Sequence, residues 1–392
     1  MIAPASIPVT GAEAICNVKL LKVLSENGYK IDLISKKMKY THYPETDLAE
    51  LGLSLNSVSI IEVDNKMSLK VIWQHLCCLF IFGTVFKGAH WAYCALKTAK
   101  KLCKENQYDA IITKNSPSEL LGSYFKKKKG YKWIATWNDP YPTKKYPKPY
   151  GNGVTAKLFI LESPLLNLME KADYHIFPNQ RIRDYMRSYL NIPSEKTRII
   201  PHVVIPREHH DTPHENLRIV HLGNLLPPRD ATPFLRALTE FNKNEKDAKL
   251  EIAFIGQTPQ SVKDFVNTTH LEKYVKVFPP VKYKESQQIL ESYDIQLIVE
   301  APCEEGIFLP TKVSDSMQLG KPIFTISPSV GVLNDLYKQG HISYFSSVQN
   351  EKNILSTLRQ IYKDFTNGKI KSFSLEKSYS PRTIVQQYNE II

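Results

Sequence analysis

A chain of 392 residues is long enough for two domains of near-equal size, each able to bury its own core. Its hydrophobic residues (42%) and charged residues (23%) stand in the proportions of a soluble globular protein, which excludes disordered and fibrous classes. Charge is unevenly divided: residues 1–150 hold 22 lysines, no arginine and 12 acidic residues, a net +10, whereas the other 29 basic and 27 acidic residues leave only +2.

The basic first half indicates an anionic partner. Membrane phospholipid or a phosphorylated acceptor is favoured over nucleic acid, and a merely solvated lysine-rich face is the simpler alternative. If the partner is a membrane, we expect lysines 126–129, Lys144, Lys145 and Lys148 to lie nearest the lipid.

Cysteine usage and hydropathy bear on the compartment. The six cysteines form no C-x-x-C pair and no secretory framework, which favours a reducing cytosol. No signal peptide is evident, and the most apolar run, residues 76–86, is far shorter than the roughly 20 residues of a spanning helix. We therefore expect a cytoplasmic protein that does not cross a membrane.

Predicted elements of the first half alternate between strand and helix. Residues 1–3 read as only the end of a first strand, so we expect a truncated strand and either poor folding or a gap in the sheet near Ile2. A helix over residues 12–27 leads into a strand over 30–35. After a polar connection, residues 71–102 predict one or two amphipathic helices, packed in a core or laid on a lipid surface.

Two further strands, residues 110–113 and 132–136, end in polar loops. The carboxyl ends of parallel strands face the crevice where open α/β sheets bind ligands. Ser116 and Ser118 are therefore candidate lining residues, whereas Asp139 before Pro140 fits a simple turn cap on sequence grounds alone.

The second half repeats the alternation. Strands are expected at residues 172–177, 217–222, 250–256, 275–278, 295–299 and 323–326, and helices at 182–190, 283–293 and 379–392. The sequence thus predicts an α/β protein with a domain over residues 1–205, a second over 206–378, and a terminal helix over 379–392.

Phosphate-binding features follow two of these strands. Gly223 lets the backbone turn close to a ligand, and Arg229 in the same loop offers two donors to phosphate oxygens. Pro310-Thr311 opens a helix whose N-terminus favours anions; we expect Thr311 to cap it and Lys312 to add positive charge.

Several other chemistries lack their motifs. The sequence has no D-x-D pair, Walker loop, H-E-x-x-H or G-x-S-x-G. His209, His210, Asp211 and His214 could in principle bind a metal, but their spacing matches no known site. We expect no metal.

The stretch from Pro310 to Pro322, with Asp315 five residues before Gly320-Lys321-Pro322, resembles the donor-binding loop of family-4-type glycosyltransferases. The turn from Trp137 to Tyr141 resembles one in some bacterial surface-polysaccharide glycosyltransferases, which implies that Asp139 faces the cleft. The resemblance implies the GT-B fold, in which two Rossmann-like doubly wound parallel-sheet domains face a cleft. It also implies that Asp315 takes the ribose hydroxyls of a sugar nucleotide, and that the terminal helix returns to the first domain.

This chain departs from the family at four positions. Asp315 replaces a glutamate, Ile307 stands where a partner acid is usual, Thr10 replaces the first of two glycines, and Asn224 replaces a basic residue. With a shifted loop, Glu304 or Glu305 would serve in place of the missing acid. By resemblance the donor-binding residues are Gly11, Gly223, Asn224, Arg229, Glu305, Thr311, Lys312 and Asp315.

The implied function is a retaining, metal-independent hexosyltransferase without a cofactor. It would use a nucleotide-diphosphate sugar as donor and a cell-surface glycan or lipid-linked molecule as acceptor. Its expected place is the inner face of the cytoplasmic membrane, as a peripheral protein, with no nucleic acid as partner. A sugar-nucleotide epimerase of the same fold, or a non-catalytic nucleotide-sugar-binding module, are the alternatives.

Overall fold

The chain folds into two compact α/β units. The computed structural model describes residues 1–7, 11–37, 57–64, 71–84, 88–160, 162–208 and 214–392. The first unit comprises Met1–Tyr146, Gly151–Val203 and Ser378–Ile392. The second comprises Pro147–Tyr150 and Val204–Lys377. Neither unit is a continuous stretch of chain.

The regular elements alternate along the chain. Up to residue 203 they are α1 (Ala12–Glu26), β1 (Ile31–Lys37), β2 (Val58–Asp64), α2 (Val71–Phe82), α3 (Ala89–Glu105), β3 (Ala110–Lys114), α4 (Ser118–Lys129), β4 (Lys132–Thr136), α5 (Ser163–Met169), β5 (Tyr174–Phe177), α6 (Gln180–Arg187) and β6 (Thr197–Ile199). They continue with β7 (Leu217–Leu222), α7 (Thr232–Asn244), β8 (Leu250–Ile255), α8 (Gln260–Thr268), β9 (Val275–Phe278), α9 (Tyr283–Glu291), β10 (Ile295–Val299), α10 (Thr311–Gln318), β11 (Ile323–Ser327), α11 (Val332–Lys338), β12 (Tyr344–Ser347), α12 (Glu351–Thr366) and α13 (Pro381–Asn389).

The first unit is built on parallel strands joined through the first residues of the chain. β1 pairs with β2, and β3, β4, β5 and β6 follow one another in a second ladder. Ile2 bridges to both Ile34 and Thr113. Its N–H bonds Ile112 O at 2.8 Å, and its carbonyl accepts from Lys114 N at 2.9 Å. The expected gap near Ile2 is therefore wrong, because Ile2 bonds β3 while its neighbours Met1 and Ala3 bond Ile34 of β1, which closes the sheet.

The second unit is a six-stranded parallel sheet in the order β12-β11-β10-β7-β8-β9. Chain order thus reverses direction between β7 and β10, as in a doubly wound Rossmann-like sheet. Every residue of β10 and β11 is buried, since helices cover both faces of a parallel sheet. The predicted α/β class with doubly wound parallel sheets is confirmed.

One local prediction needs correction, and another is confirmed. The polar connection before residue 71 contains strand β2, which the polar interpretation missed, because half of Val58–Asp64 faces solvent. The apolar stretch forms two helices, α2 and α3, and Gly88 before α3 has φ 92°, a left-handed value that suits glycine. No helix within the described ranges is long and apolar enough to span a membrane.

The last helix, α13, completes the first unit. Tyr388 is 1% exposed, and Lys132 Nζ donates to the carbonyl of Ile392 at 2.7 Å. Gln387 Nε2 donates to Ile199 O at 3.3 Å. The carboxyl end of the chain is thereby fixed to strands β4 and β6 of the first unit.

Candidate functional site

The reversal between β7 and β10 defines a crevice at the carboxyl ends of these two strands. Open α/β sheets bind ligands at such a point because neighbouring loops leave in opposite directions and part there. Gly223 directly follows β7, and Glu300 directly follows β10. The side chains around these two positions form the candidate site in the second unit.

Two glycines allow two strand-end loops to approach each other. A Cβ atom added to Gly256 would lie 2.4 Å from the carbonyl oxygen of Gly223, and Gly256 has φ 140°. A Cβ atom on Gly223, at φ 95°, would lie 3.0 Å from Lys312 Cε. A side chain at Gly256 would push these loops apart, and one at Gly223 would displace the Lys312 side chain. The sequence prediction missed Gly256, although a glycine directly after a buried strand was an available signal.

Lys312 reaches from the first turn of α10 to the end of β7. Its Nζ lies 3.4 Å from His221 Nε2, and His221 Nδ1 lies 3.1 Å from Leu297 O. A carbonyl oxygen can only accept, so we assign the ring proton to Nδ1, which leaves Nε2 to accept from Lys312. Burial lowers the pKa of His221 well below its usual value, so the ring is neutral.

Lys312 is a poorly neutralised cation. Burial, and next the nearby charge of Arg229, lower the pKa of its ammonium group to about 8, while Glu300 and Asp315 act in the opposite direction. The ammonium group is therefore protonated at neutral pH, and a further anion beside it would stabilise this charged form. Such a group favours binding of a phosphate.

Glu300 and Tyr150 hold Arg229 in place. Arg229 Nε lies 3.1 Å from Glu300 Oε1, and the Tyr150 hydroxyl donates to Glu300 Oε2 at 2.8 Å. The guanidinium carbon also lies 5.7 Å from the centre of the Tyr150 ring. Glu300 is only 7% exposed, and burial raises the pKa of Tyr150 so that it stays a donor. Sequence reasoning missed Glu300, Tyr150 and His221.

Asp315 lies one turn inside α10 and is half-buried. The Tyr283 hydroxyl donates to Asp315 Oδ1 at 2.7 Å, which orients the carboxylate. Thr311 does not cap this helix: Pro310 occupies the capping position and no side-chain hydrogen bond is made there. The cap prediction was wrong because the fixed φ of proline starts the helix one residue earlier.

The second unit brings Gly223, Arg229, Lys312 and Asp315 together, whereas Gly11 lies in the first unit. Asn224 contributes to the loop structure, since its Oδ1 accepts from Gln257 N at 3.1 Å. Glu305 is half-buried in the loop after β10, which Gly306 ties to the start of α11 through bonds with Val330 and Val332.

A recess of about 270 Å³, measured with its opening to solvent, adjoins these residues within the second unit. Tyr150 and Phe308 meet edge to face at one wall, with ring centres 5.0 Å apart. Cys303 also lines it, and burial raises the pKa of that thiol to about 11. A protonated thiol is a weak nucleophile, so Cys303 belongs to the wall and not to the chemistry.

The first-unit candidates have different surroundings. Ser118 is fully buried, and its hydroxyl donates to Asn115 O at 2.5 Å, so it does not line a crevice. Ser116 and Asp139 are half-buried at the ends of β3 and β4, as expected. Glu13 lies near Asp139 and was missed, because only the fold brings the first turn of α1 to that point.

No group of three or more potential ligands in the part of the chain that the structure describes is arranged to hold a metal ion. His209, His210 and Asp211 lie outside the described residues. His214 is described, and its Nε2 lies 3.5 Å from Asp294 Oδ1.

Two Rossmann-like units, one with half-buried cations at its switch point, are the architecture of the GT-B fold. The sequence model of Glycosyltransferase Family 4 matches residues 18–208. This match covers just under half of the chain, and together with solved structures of GT-B fold it supports the recognition made from the donor-loop motif. No curated protein matches the chain at a significant level.

Solved structures of similar fold cover the whole chain at low identity. Sucrose-phosphate synthase from Thermosynechococcus elongatus has a TM-score of 0.66 and 13% identity over 99% of this chain and 97% of its own. A glycosyltransferase from Rickettsia africae has a TM-score of 0.65 and 14% identity, over 100% of this chain and 96% of its own. WaaG, a glycosyltransferase involved in lipopolysaccharide biosynthesis, has a TM-score of 0.60 and 10% identity, over 99% of this chain and 94% of its own. At such identities these likenesses establish the fold.

Replacing Asp315 by asparagine should weaken nucleoside-diphosphate binding by roughly tenfold. A neutral amide still accepts a hydrogen bond from a ribose hydroxyl but loses the charge-assisted part of the interaction. Isothermal titration calorimetry measures it, with Asp264→Asn on the exposed face of α8 as the matched control. Full affinity in the Asp315 variant would place the ribose elsewhere.

Proposed function

We propose that the chain is a retaining hexosyltransferase that moves a sugar from a nucleoside-diphosphate donor to a cell-surface glycan or lipid-linked acceptor. The single observation that carries this is the pair of cations, Arg229 and Lys312, at the switch point of the second sheet. Burial lowers the pKa of Lys312 most and repulsion from Arg229 lowers it further, and a diphosphate between or beside the two cations relieves that repulsion.

The same cations suit the chemical step. As the bond between the sugar and the diphosphate breaks, its electron pair leaves on the diphosphate, and negative charge grows there. Donors fixed in advance and partly removed from water stabilise that charge strongly. Glu300 and Tyr150 fix Arg229, and His221 fixes Lys312, so neither side chain needs to reorganise. In this proposal Arg229 and Lys312 take the role of a divalent metal in stabilising the negative charge on the diphosphate.

Incubation with a panel of sugar nucleotides tests the proposal. We expect at least one donor to be hydrolysed slowly without an acceptor, with release of the nucleoside diphosphate and retention of configuration at the freed sugar. Conversion of the donor to an epimer would instead establish the sugar-nucleotide epimerase. Binding without hydrolysis, epimerisation or transfer to any acceptor would establish a non-catalytic module.

Membrane association is part of the proposal, and the first unit supplies a surface for it. α2 exposes Ile72, Trp73, Leu76 and Phe80 on one side, and Phe80 is 87% exposed. α2 packs on α3 through His75 and His90, whose ring centres are 5.6 Å apart, and through Gln74 and Cys94. α2 thus lies on the outward face of the first half of α3.

The same outward face of α3 continues as a lysine stripe. Lys97, Lys100, Lys101 and Lys104 follow helical spacing, are exposed, and lie on the side opposite the buried residues of α3. An apolar helix beside a basic stripe suits an anionic lipid surface, because apolar insertion and charge attraction then act together.

The structure changes the list of lysines expected nearest the lipid. Lys145 is 8% exposed, donates to Val154 O at 2.5 Å and lies over the Tyr189 ring, so it is unavailable. Lys126 pairs with Asp173 at 2.5 Å, and Lys144 lies 3.4 Å from Glu162. Lysines 127–129 are exposed at the end of α4.

Liposome co-sedimentation should show binding that needs anionic lipid and weakens with salt. Near such a surface each lysine contributes about 1 kcal/mol, decaying over a Debye length. Changing lysines 127–129 to glutamine should reduce binding, and Phe80→Ser should reduce it independently. The control changes Lys243, Lys246 and Lys263, three exposed lysines of the second unit, to glutamine. Equal binding to neutral vesicles would leave the first-unit lysines as a solvated face.

A further inference from the structure

The first unit contains a recess at the edge of its sheet where the strands begin, and we call it the amino-edge recess. It measures about 350 Å³ with its opening to solvent, and it lies between α3 and the first residues of β1 and β3. Asp32 is the second residue of β1, and Ala110 is the first residue of β3. The crevice ligands of open parallel sheets bind at the opposite edge, where the strands end. The amino-edge recess is therefore separate from the place where sugar transfer would occur.

Hydrocarbon groups form most of the wall of the amino-edge recess. α3 and α4 supply one side of this wall, and the sheet supplies the other. The apolar members are Ile2, Ile34, Ala99, Leu102, Ile111 and Phe125. Ala99 is only 3% exposed, and its small side chain leaves space that a larger residue on this face of α3 would fill. A recess of this size with apolar walls and few polar groups has the character of a small-molecule site.

Asp32 supplies the one charged side chain among the described residues that line the amino-edge recess. Its Oδ2 accepts a hydrogen bond from the Tyr108 hydroxyl, which orients the carboxylate. Burial raises the pKa of Tyr108, so the hydroxyl stays a donor. Burial also raises the pKa of Cys103, so the thiol in the same wall is neutral. The recess therefore presents one fixed carboxylate within apolar surroundings.

Neighbouring positive groups leave this carboxylate without a close counter-charge. The lysine stripe of α3 lies on the side of that helix opposite its buried residues. Lys129 acts on the Cys103 thiol, but Lys129 is exposed, so water and salt screen its charge. The Met1 amino group donates to the backbone carbonyl of Asp32 at 2.7 Å, and burial lowers the pKa of that amino group to about 6. At neutral pH the amino group is largely uncharged, and the recess keeps a negative charge.

An oriented carboxylate beside hydrocarbon selects among small ligands by charge. An alkylamine is protonated at neutral pH, as a lysine side chain is, and its ammonium group makes a charge-assisted hydrogen bond to a carboxylate. Its hydrocarbon chain gains from contact with the apolar wall. A neutral alcohol of the same length loses the charge-assisted part of the bond. An alkyl carboxylate or phosphate would meet the like charge of Asp32.

We propose that the amino-edge recess binds a small alkylammonium cation, with the ammonium group on Asp32 and the hydrocarbon chain between α3 and the sheet. The inference goes beyond the proposed transferase function and does not depend on it, because the residues of this recess are not those of the donor site. An occupant would contact Ile2, which joins β1 to β3, and Leu102 of α3 together. Binding should therefore stabilise the folded first unit.

Isothermal titration calorimetry with the full chain at neutral pH tests the proposal. The probes are n-hexylamine, n-hexanol and n-hexanoate, which share one chain length and differ in charge. We expect saturable binding of hexylamine, about tenfold weaker binding of hexanol and no binding of hexanoate, since hydrogen bonds to charged groups exceed neutral ones by about this factor. Hexylamine should also raise the Tm of the chain, because it binds the folded state.

Two substitutions locate the binding. Asp32→Asn should weaken hexylamine binding about tenfold and leave hexanol binding nearly unchanged, since the amide oxygen still accepts from Tyr108. Asp184→Asn, at an exposed position of α6 in the same unit, is the matched control and should change neither affinity. Ala99→Leu should abolish binding of both probes, because the larger side chain fills the recess.

The ranking of the three probes on the unaltered chain decides if a variant does not fold. Hexanoate binding as tight as that of hexylamine would overturn the proposal. So would the absence of saturable hexylamine binding, or hexylamine binding that Asp32→Asn leaves unchanged.

Discussion

Replacing Lys312 by methionine should lower turnover of the sugar-nucleotide donor by about two to three orders of magnitude. Methionine keeps most of the side-chain volume against Gly223 but removes the ammonium group held by His221. Loss of one preorganised donor to a developing oxyanion typically costs a factor of this size. Donor hydrolysis under steady-state conditions measures it, and Lys338→Met at the exposed end of α11 should retain full activity.

The unaltered chain should also bind nucleoside diphosphates less tightly as the pH rises above about 8. Lys312 has a lowered pKa of about 8, so it is charged below that pH and loses its proton above it. A bound diphosphate favours the charged form and moves the transition upward. Lys312→Met should remove this pH dependence. A variant with unchanged turnover and the same pH profile would exclude Lys312 from the donor site.

Replacing Gly256 by alanine should lower the free energy of unfolding by about 2 to 4 kcal/mol. The added Cβ would lie 2.4 Å from the Gly223 carbonyl oxygen, and its nearest neighbours are all backbone atoms of Gly223, so no flexible side chain can move aside. The positive φ of 140° adds the strain of a conformation that alanine disfavours. Urea denaturation followed by circular dichroism measures the change.

Gly340→Ala is the matched control, because that glycine also has a positive φ, 80°, but open space around it. This substitution should lower the free energy of unfolding by about 1 kcal/mol, which is the effect of the positive φ alone. Donor affinity should fall in the Gly256 variant, since the Gly223 loop must shift, and stay unchanged in the control. Equal losses of unfolding free energy in the two variants would show that the loop containing Gly256 makes room for the added Cβ without further destabilisation.

Apolar runs between turn residues were sufficient to predict much of the fold. β4, β7, β9 and β10 begin and end where the sequence predicted, because parallel strands buried on both faces need continuous hydrophobic stretches. β2 was missed because its exposed side carries polar and charged residues. Its pairing with β1 depends on tertiary contacts that local propensity does not report.

For the site, sequence predicted the groups that follow a strand or open a helix. Arg229 and Lys312 belong to such motifs, and the fold brings them together. Glu300 and Tyr150, which fix Arg229, lie 150 positions apart, and no periodicity connects them. The expectation that Lys145 lies near the lipid failed for the same reason. Composition gives the charge of a lysine, whereas the burial of Lys145 against Tyr189 follows from packing.

The division of the chain has a practical consequence for dissecting the protein. A fragment of residues 204–377 would contain Glu300, Arg229 and Lys312 but lack Tyr150, whose hydroxyl bonds Glu300. A fragment of residues 1–203 would lack α13 and leave strands β4 and β6 without the partners it supplies. Nucleotide-binding studies on an isolated second half should therefore carry residues 147–150 fused through a short linker, or a circular permutant that keeps them joined.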